Sequence, residues 1–227
     1  MNYLCGLQPF NMQFLKPLFF SFVALFITGA AFAQNDWKLA TEKEGIKVFT
    51  SEVASSKIKA IKVTCTLPGK ASQLVALLLD VEAAPEWVYH TKSCKLIKQV
   101  SPSELYYHSE IAVPWPVENR DFVAHLTVFQ NAQTKTITVD GPAVSGFVPL
   151  KNGVVRISES KGKWQIMPLP NNQIQIEYML HVNPGGNLPP WLVNMFATQG
   201  PVEIFRKMKL MLQKPRYANA ELAFIRN

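Results

Sequence analysis

The chain has 227 residues, of which 48% are apolar and 17% charged, with a formal net charge of +7. This is the composition of a globular protein with a sizeable core, and it excludes a disordered, collagen-like or disulfide-stapled chain. The basic surplus favours anionic partners, phospholipid head groups as readily as nucleic acid, but no Lys/Arg run exceeds two residues, so charge alone singles out no partner.

Residues 1–33 read as a secretory signal peptide. Lys16 precedes the apolar run Leu18–Thr28, and the small-residue sequence Ala31-Phe32-Ala33 places cleavage before Gln34. Met12 is an alternative start that gives a shorter leader. The run falls short of the ~20 residues a spanning helix needs, and nothing later in the chain is long and apolar enough to span. The expected location is therefore the periplasm or outside the cell. Cys5 goes with the leader and leaves Cys65 and Cys94. An exported protein could join these two, although their spacing is not that of a disulfide framework.

Ile46–Val53 and Lys57–Leu67 are rich in β-formers, with Ala54-Ser55-Ser56 as the turn between them. In the second, Ile61, Val63, Cys65 and Leu67 alternate with polar residues, as in a sheet with one buried face. After the break at Pro68-Gly69, Ala71–Asp80 carries Leu74, Leu77 and Leu78 on one helical stripe, with Ser72 as candidate cap. A shorter helical piece is expected over Glu82–Tyr89, bearing Trp87.

Strand candidates follow at Lys95–Val100, Leu105–Ala112, Asp121–Gln130, Lys135–Gly141, the pair Val154–Ser158 and Lys163–Met167, and Gln173–Val182. Their order and turns predict a large antiparallel meander. Pro184-Gly185-Gly186-Asn187 ends it, and a long amphipathic helix opens at Leu188-Pro189-Pro190, with a kink expected at Gly200-Pro201. Residues after Pro215 read as a loosely attached tail. A sheet of eight or nine strands has more concave area than one helix covers, so the remaining volume is either filled by large side chains or left as an apolar cavity.

Motifs for catalysis are missing. There is no G-x-S-x-G, H-E-x-x-H, C-x-x-C, phosphate-binding glycine loop or dinucleotide fingerprint, and His90, His108, His125 and His181 are dispersed. Neither metal nor cofactor is expected. The aromatics alternate with polar residues as core residues do, which argues against an exposed nucleic-acid-binding face.

Several stretches in order resemble the START (steroidogenic-acute-regulatory-related lipid-transfer) family: Trp37 with Glu44-Gly45-Ile46-Lys47-Val48, Trp87, AVPWPVENRDFV at 112–123, Gly153-Val154-Val155-Arg156 through Gly162-Lys163-Trp164, and NPGGNLPPWLVN at 183–194. The resemblance implies an α+β helix-grip (START/Bet v 1-like) fold, a curved antiparallel sheet of about nine strands gripping a long C-terminal helix. It assigns 34–214 to a lipid-binding domain followed by the tail 215–227. It further implies a monomer that binds, and transfers or senses, one apolar ligand in a tunnel without catalysis and touches membranes transiently.

Candidate tunnel residues under that resemblance are Trp87, Tyr107, Glu110, Trp115, Arg120, Phe122, Leu126, Arg156, Trp164, Tyr178, Trp191 and Met195. Val113–Val117 matches the family's lid loop, with Trp115 either meeting a bilayer or pinning the loop to the core. Sterol-binding members carry a tunnel arginine where this chain has Leu126, and Glu110 is expected at the rim or paired with a base. Asp121 is expected to accept backbone hydrogen bonds from the lid loop, while Arg120, like Arg156, is expected either in a structural salt bridge or meeting a ligand's polar end. The alternative is a cyclase/aromatase-type enzyme whose acid–base pair would be Glu110 with His108 or Tyr107.

Overall fold

A computed structural model describes residues 36–54, 56–186, 188–189, 192–193 and 195–226. The proposed signal peptide and Trp191 lie outside the described residues.

The first hairpin joins β1 (Lys38–Lys43) to β2 (Ile46–Val53) through Glu44 and Gly45, at φ 54° and 76°. Two consecutive positive φ values make the tight turn whose twist matches the strands. After β3 (Ser56–Pro68) comes α1 (Ala71–Leu79), which is buried on nearly every side. Its start is capped by Gln73, whose Oε1 accepts from the Lys70 amide at 2.6 Å. Ser72 is not the cap: its Oγ donates to the Ala220 carbonyl at 2.8 Å. A 3-10 turn (Val81–Ala83) leads to the single turn α2 (Ala84–Trp87).

From there β4 (Thr91–Ser101), β5 (Glu104–Ile111), β6 (Asn119–Gln130) and β7 (Ile137–Val144) run as an antiparallel meander. β9 (Glu159–Leu169) and β10 (Gln173–Asn183) continue it, and β10 pairs with β3. The strand order is β1-β2-β3-β10-β9-β7-β6-β5-β4. A simple meander was expected. Instead two meanders meet at the β3–β10 pairing, because the α1–α2 excursion carries the chain to the opposite edge before it returns. The segment expected as a strand over Val154–Ser158 is only β8 (Val154–Arg156), and it lies parallel to the start of β6.

The last helix is interrupted where expected. Met195–Gln199 forms a π turn that runs into α3 (Gly200–Met211). Pro201 has no N–H to donate back into the preceding turn, so the hydrogen-bond ladder breaks there and the coil widens. At Gly200 a Cβ would come within 3.0 Å of the Tyr89 ring, so only glycine lets the helix approach so closely. Val202, Phe205, Met208 and Met211 recur every three residues and are buried on the sheet side.

The tail expected to be loose is docked. α4 (Pro215–Ala218) buries Tyr217, whose hydroxyl donates to Asp80 Oδ2 at 2.6 Å, and Arg216 reaches the same carboxylate. Gln73 donates to the Ala218 carbonyl, and Gln130 exchanges two hydrogen bonds with the backbone of Arg226. Tyr217→Ala is therefore expected to cost about 3 kcal/mol, lowering Tm by roughly 6–12 °C in a thermal melt. An unchanged Tm would mean the tail does not contribute to the core.

Candidate functional site

Alternation along the strands sorts side chains into an inner and an outer face. On β5 the inner set is Leu105, Tyr107, Ser109 and Ile111. On β6 it is Arg120, Phe122, Ala124 and Leu126. Trp164 from β9 and Tyr178 from β10 stand opposite each other, their rings stacked 4.1 Å apart, and Phe205 of α3 lies 5.6 Å from Trp164. Gly162 leaves room for the Tyr178 hydroxyl, which would lie 3.5 Å from a Cβ at that position.

These residues enclose a cavity of about 830 Å³ between the concave sheet, α2 and the C-terminal helix. The lining is overwhelmingly apolar, with a few hydroxyls and two cations, Lys59 and Arg120. That size and chemistry are those of a small-molecule binding site. Burial pushes the Tyr107 and Tyr178 hydroxyls well above their ordinary pKa and the Cys94 thiol up to about 12. All three are neutral walls at physiological pH. Cys65 and Cys94 are both buried and unjoined.

Of the sequence candidates, Tyr107, Arg120, Phe122, Leu126, Trp164 and Tyr178 do line the cavity. Trp87 is instead packed in the core between α2 and the sheet, its indole N–H without a partner among the described residues. Met195 is not in the wall, and its neighbours Phe196 and Ala197 are. Wall residues not singled out from sequence include Cys94, Val139, Leu180 and Ile204. Leu180 was recoverable by extending the alternation that begins at Ile174.

Glu110 and Arg156 belong to the outer face. The Glu110 carboxylate receives Lys92 at 2.8 Å, Lys151 at 3.1 Å and Asn119 Nδ2 at 3.1 Å. The Lys92 bond first, then Lys151 and Asn119, outweigh burial and hold its pKa down at about 2. Arg156 is committed to Asp121 through two bonds of 2.7 and 2.9 Å, while His108 Nε2 lies 2.9 Å from the same carboxylate. Burial pushes the Asp121 pKa up, but Arg156 and His108 outweigh it and leave it below the carboxylate range. His108 and Glu110 thus share a face as expected, but it is the face away from the cavity. Neither can act with Tyr107 on a tunnel substrate, and among the described residues no Asp, Glu or His lines the wall.

The lid loop is fastened differently from expectation. The Val113 amide donates to Asn119 Oδ1 at 3.1 Å, so Asn119 and not Asp121 holds it. Asp121 positions Arg156, which grips the Val148 and Pro149 carbonyls of the next loop. Trp115 does not pin anything to the core: it is 91% exposed.

A curved antiparallel sheet gripping a C-terminal helix over one apolar cavity defines the helix-grip class. The START domain family model matches residues 18–217, and the chain belongs to that family. An uncharacterized protein of Pseudomonas aeruginosa is 30% identical over 188 residues, 83% of this chain and 92% of that protein. The mouse phosphatidylcholine transfer protein is 25% identical over 192 residues, 80% of this chain and 84% of that one. The crystal structure of a STAR-related lipid transfer protein from Xanthomonas axonopodis superposes with a TM-score of 0.72 at 32% identity, covering 78% of this chain and 99% of that one.

Glu110→Gln removes the shared partner of two half-exposed lysines and should cost about 1 kcal/mol at neutral pH. A carboxylate with a depressed folded pKa contributes stability that is present above its unfolded value and lost as pH falls through the folded one. The gap between wild type and variant, read from urea unfolding, should therefore close between about pH 4.5 and about pH 2. A gap that persists at pH 2 would mean that ion pairing is not its source.

Proposed function

We propose that this protein is a non-catalytic carrier that takes one lipid-like molecule from a membrane into the cavity and releases it at another. The cavity carries the reading. It is large, apolar and bounded on one side by a helix whose entry is a π turn after a double-glycine loop. An empty apolar void of this size forgoes dispersion contacts along its whole wall, and an acyl or prenyl chain would supply them while burying its own surface at about 25 cal/mol per Å². The likeness to phosphatidylcholine transfer proteins and to the Xanthomonas lipid transfer protein supports the same reading. The signal-peptide pattern of residues 1–33 supports an activity in the periplasm or outside the cell.

Membrane contact is assigned to the lid end. Trp115 and Leu150 are 91% and 77% exposed, on two loops tied to the same node: Asn119 holds Val113, and Lys151 next to Leu150 reaches Glu110. Two apolar tips beside Lys92 and Lys151 suit an anionic bilayer surface. Val113 lines the cavity, so this surface and the ligand's way in share one end.

Purified protein should show a stoichiometric non-covalent lipid in native mass spectra, and should move labelled lipid between vesicles. Leu180→Trp projects an indole into the cavity and should lower lipid loading roughly tenfold, equivalent to 1.4 kcal/mol, with Tm maintained. Wild type that neither holds nor takes up any lipid would overturn the carrier reading. Trp115→Ala should leave loading intact but slow transfer to vesicles by about tenfold, since an interfacial tryptophan is an apolar anchor with a wet end. An unaltered transfer rate would remove this loop from the docking surface.

A further inference from the structure

Arg120 is a buried cation that makes no ion pair among the described residues. It is 4% exposed, and its three hydrogen bonds all end on backbone carbonyls: Nη1 to Glu118 at 2.5 Å, Nη2 to Gly185 at 3.3 Å and Nε to Pro184 at 3.5 Å. Arg156, Arg206 and Arg216 each meet a carboxylate. Arg120 forms no such pair among the described residues, and Glu118 acts on it only as a more distant, exposed charge. The other cation on the cavity wall, Lys59, is more than half exposed and lies 3.7 Å from Glu52.

Burying a charge without a counter-charge is costly, and carbonyl dipoles offset only part of that cost. A fold that needed Arg120 only to hold a loop could have supplied an acid beside it, as it does for Arg156. A guanidinium has five N–H donors. The three bonds above therefore leave one donor on each terminal nitrogen, the pair that forms a fork for two oxygens of one carboxylate or phosphate. Arg120 also lines the cavity, on the same wall as Val113 of the lid and Pro184 of the loop into the last helix.

We infer that Arg120 is the subsite for an oxyanion in a lipid head group, held at the lid end while the apolar tails run toward Trp164 and Tyr178. This rests on the carrier reading and specifies its ligand: a lipid bearing a phosphate or carboxylate rather than a neutral one. The oxyanion takes those two free donors, beside the long bonds by which Arg120 holds the Pro184 and Gly185 carbonyls. Gly186 has no side chain to occupy the point 3.6 Å from Nη2 where a Cβ would sit. Ligand arrival and the loop that leads into the C-terminal helix are thus coupled through one side chain.

The test is a matched pair that differs only in the phosphate: dioleoylphosphatidic acid and dioleoylglycerol, each presented singly to delipidated full-length mature protein from cyclodextrin complexes. Loading is read by native mass spectrometry. Phosphatidic acid should load about tenfold more tightly or better, a 1.4 kcal/mol difference. Arg120→Gln should erase the difference by lowering phosphatidic acid loading about tenfold, and Arg120→Lys should restore part of it. Because the wild-type comparison needs no variant, a misfolded Arg120→Gln protein would not remove the test. Equal loading of the two lipids by wild type, or an unchanged preference in a folded Arg120→Gln protein, overturns the oxyanion subsite and leaves the carrier intact. If millimolar inorganic phosphate abolishes the preference, the subsite is for free anions, and the lipid assignment is overturned. If wild type loads neither lipid, the carrier reading itself falls.

Discussion

The cavity follows from a mismatch of lengths. At about 3.3 Å per residue, strands of the length of β3, β9 and β10 extend for roughly 36–43 Å. At 1.5 Å per residue α3 is only about 18 Å long. One helix laid on such a sheet covers less than half of its length. Where α3 and α1 do cover it, the core is dense: Val63, Leu74, Ile166, Ile176 and Met208 are fully buried. Beyond the end of α3 the wall is left to Phe196, Leu192 and their neighbours on the far side of the π turn. The binding site begins under the first turns of α3, where Gly200, Pro201, Ile204 and Phe205 form part of the wall, and extends past the start of that helix.

Strand pleating then decides which chemistry that site contains. Residues 120 and 121 are adjacent in sequence yet serve opposite faces, so one strand sends a cation inward and an anion outward. The outward Asp121 finds Arg156 and His108, and the outward Glu110 finds two lysines. Of the acids of β5 and β6, Glu110 and Asp121 are consumed in fastening loops on the convex side, and Glu104 meets His125. That leaves the concave side with hydroxyls, aromatic rings and the cations Lys59 and Arg120, a wall that can hold and orient and that carries no Asp, Glu or His among the described residues. The same two carboxylates that face away from the tunnel are what hold the loops beside it.

Much of this was legible because it depends on alternation and breaks. The β10 pattern from Ile174 to Val182, the stripe of α3 and the Pro201 interruption each leave a local signature, and the quoted motifs placed them in one fold. β1 left none: its residues are almost all exposed, so no apolar periodicity marks it. The β3–β10 pairing was hidden because strand order is a long-range property that no local pattern encodes. The docked tail was hidden for the same reason, since the partner of Tyr217 is Asp80, far away along the chain. For Glu110 and Arg156 alternation was available but its phase was not. A strand shifted by one residue exchanges its faces, and only the assembled sheet shows which face of β5 looks inward.

The lid end brings two demands together that would otherwise compete. A lipid leaving a bilayer must shed its head group's water last, because a charged head costs most to dry. A cavity that met the head group first at its blind end would require the whole charge to cross the apolar wall. Arg120 stands beside Val113 and Pro184, at the same end as the exposed Trp115 and Leu150 tips and the lysines around Glu110. An anionic head can then remain in contact with cations throughout, first Lys92 and Lys151 at the surface, then Arg120 inside. Only the tails, whose burial is favourable at every step, need to pass Phe122 toward Trp164. Under the oxyanion subsite inferred above, the head group's charge never has to be unpaired, which lowers the desolvation barrier to uptake.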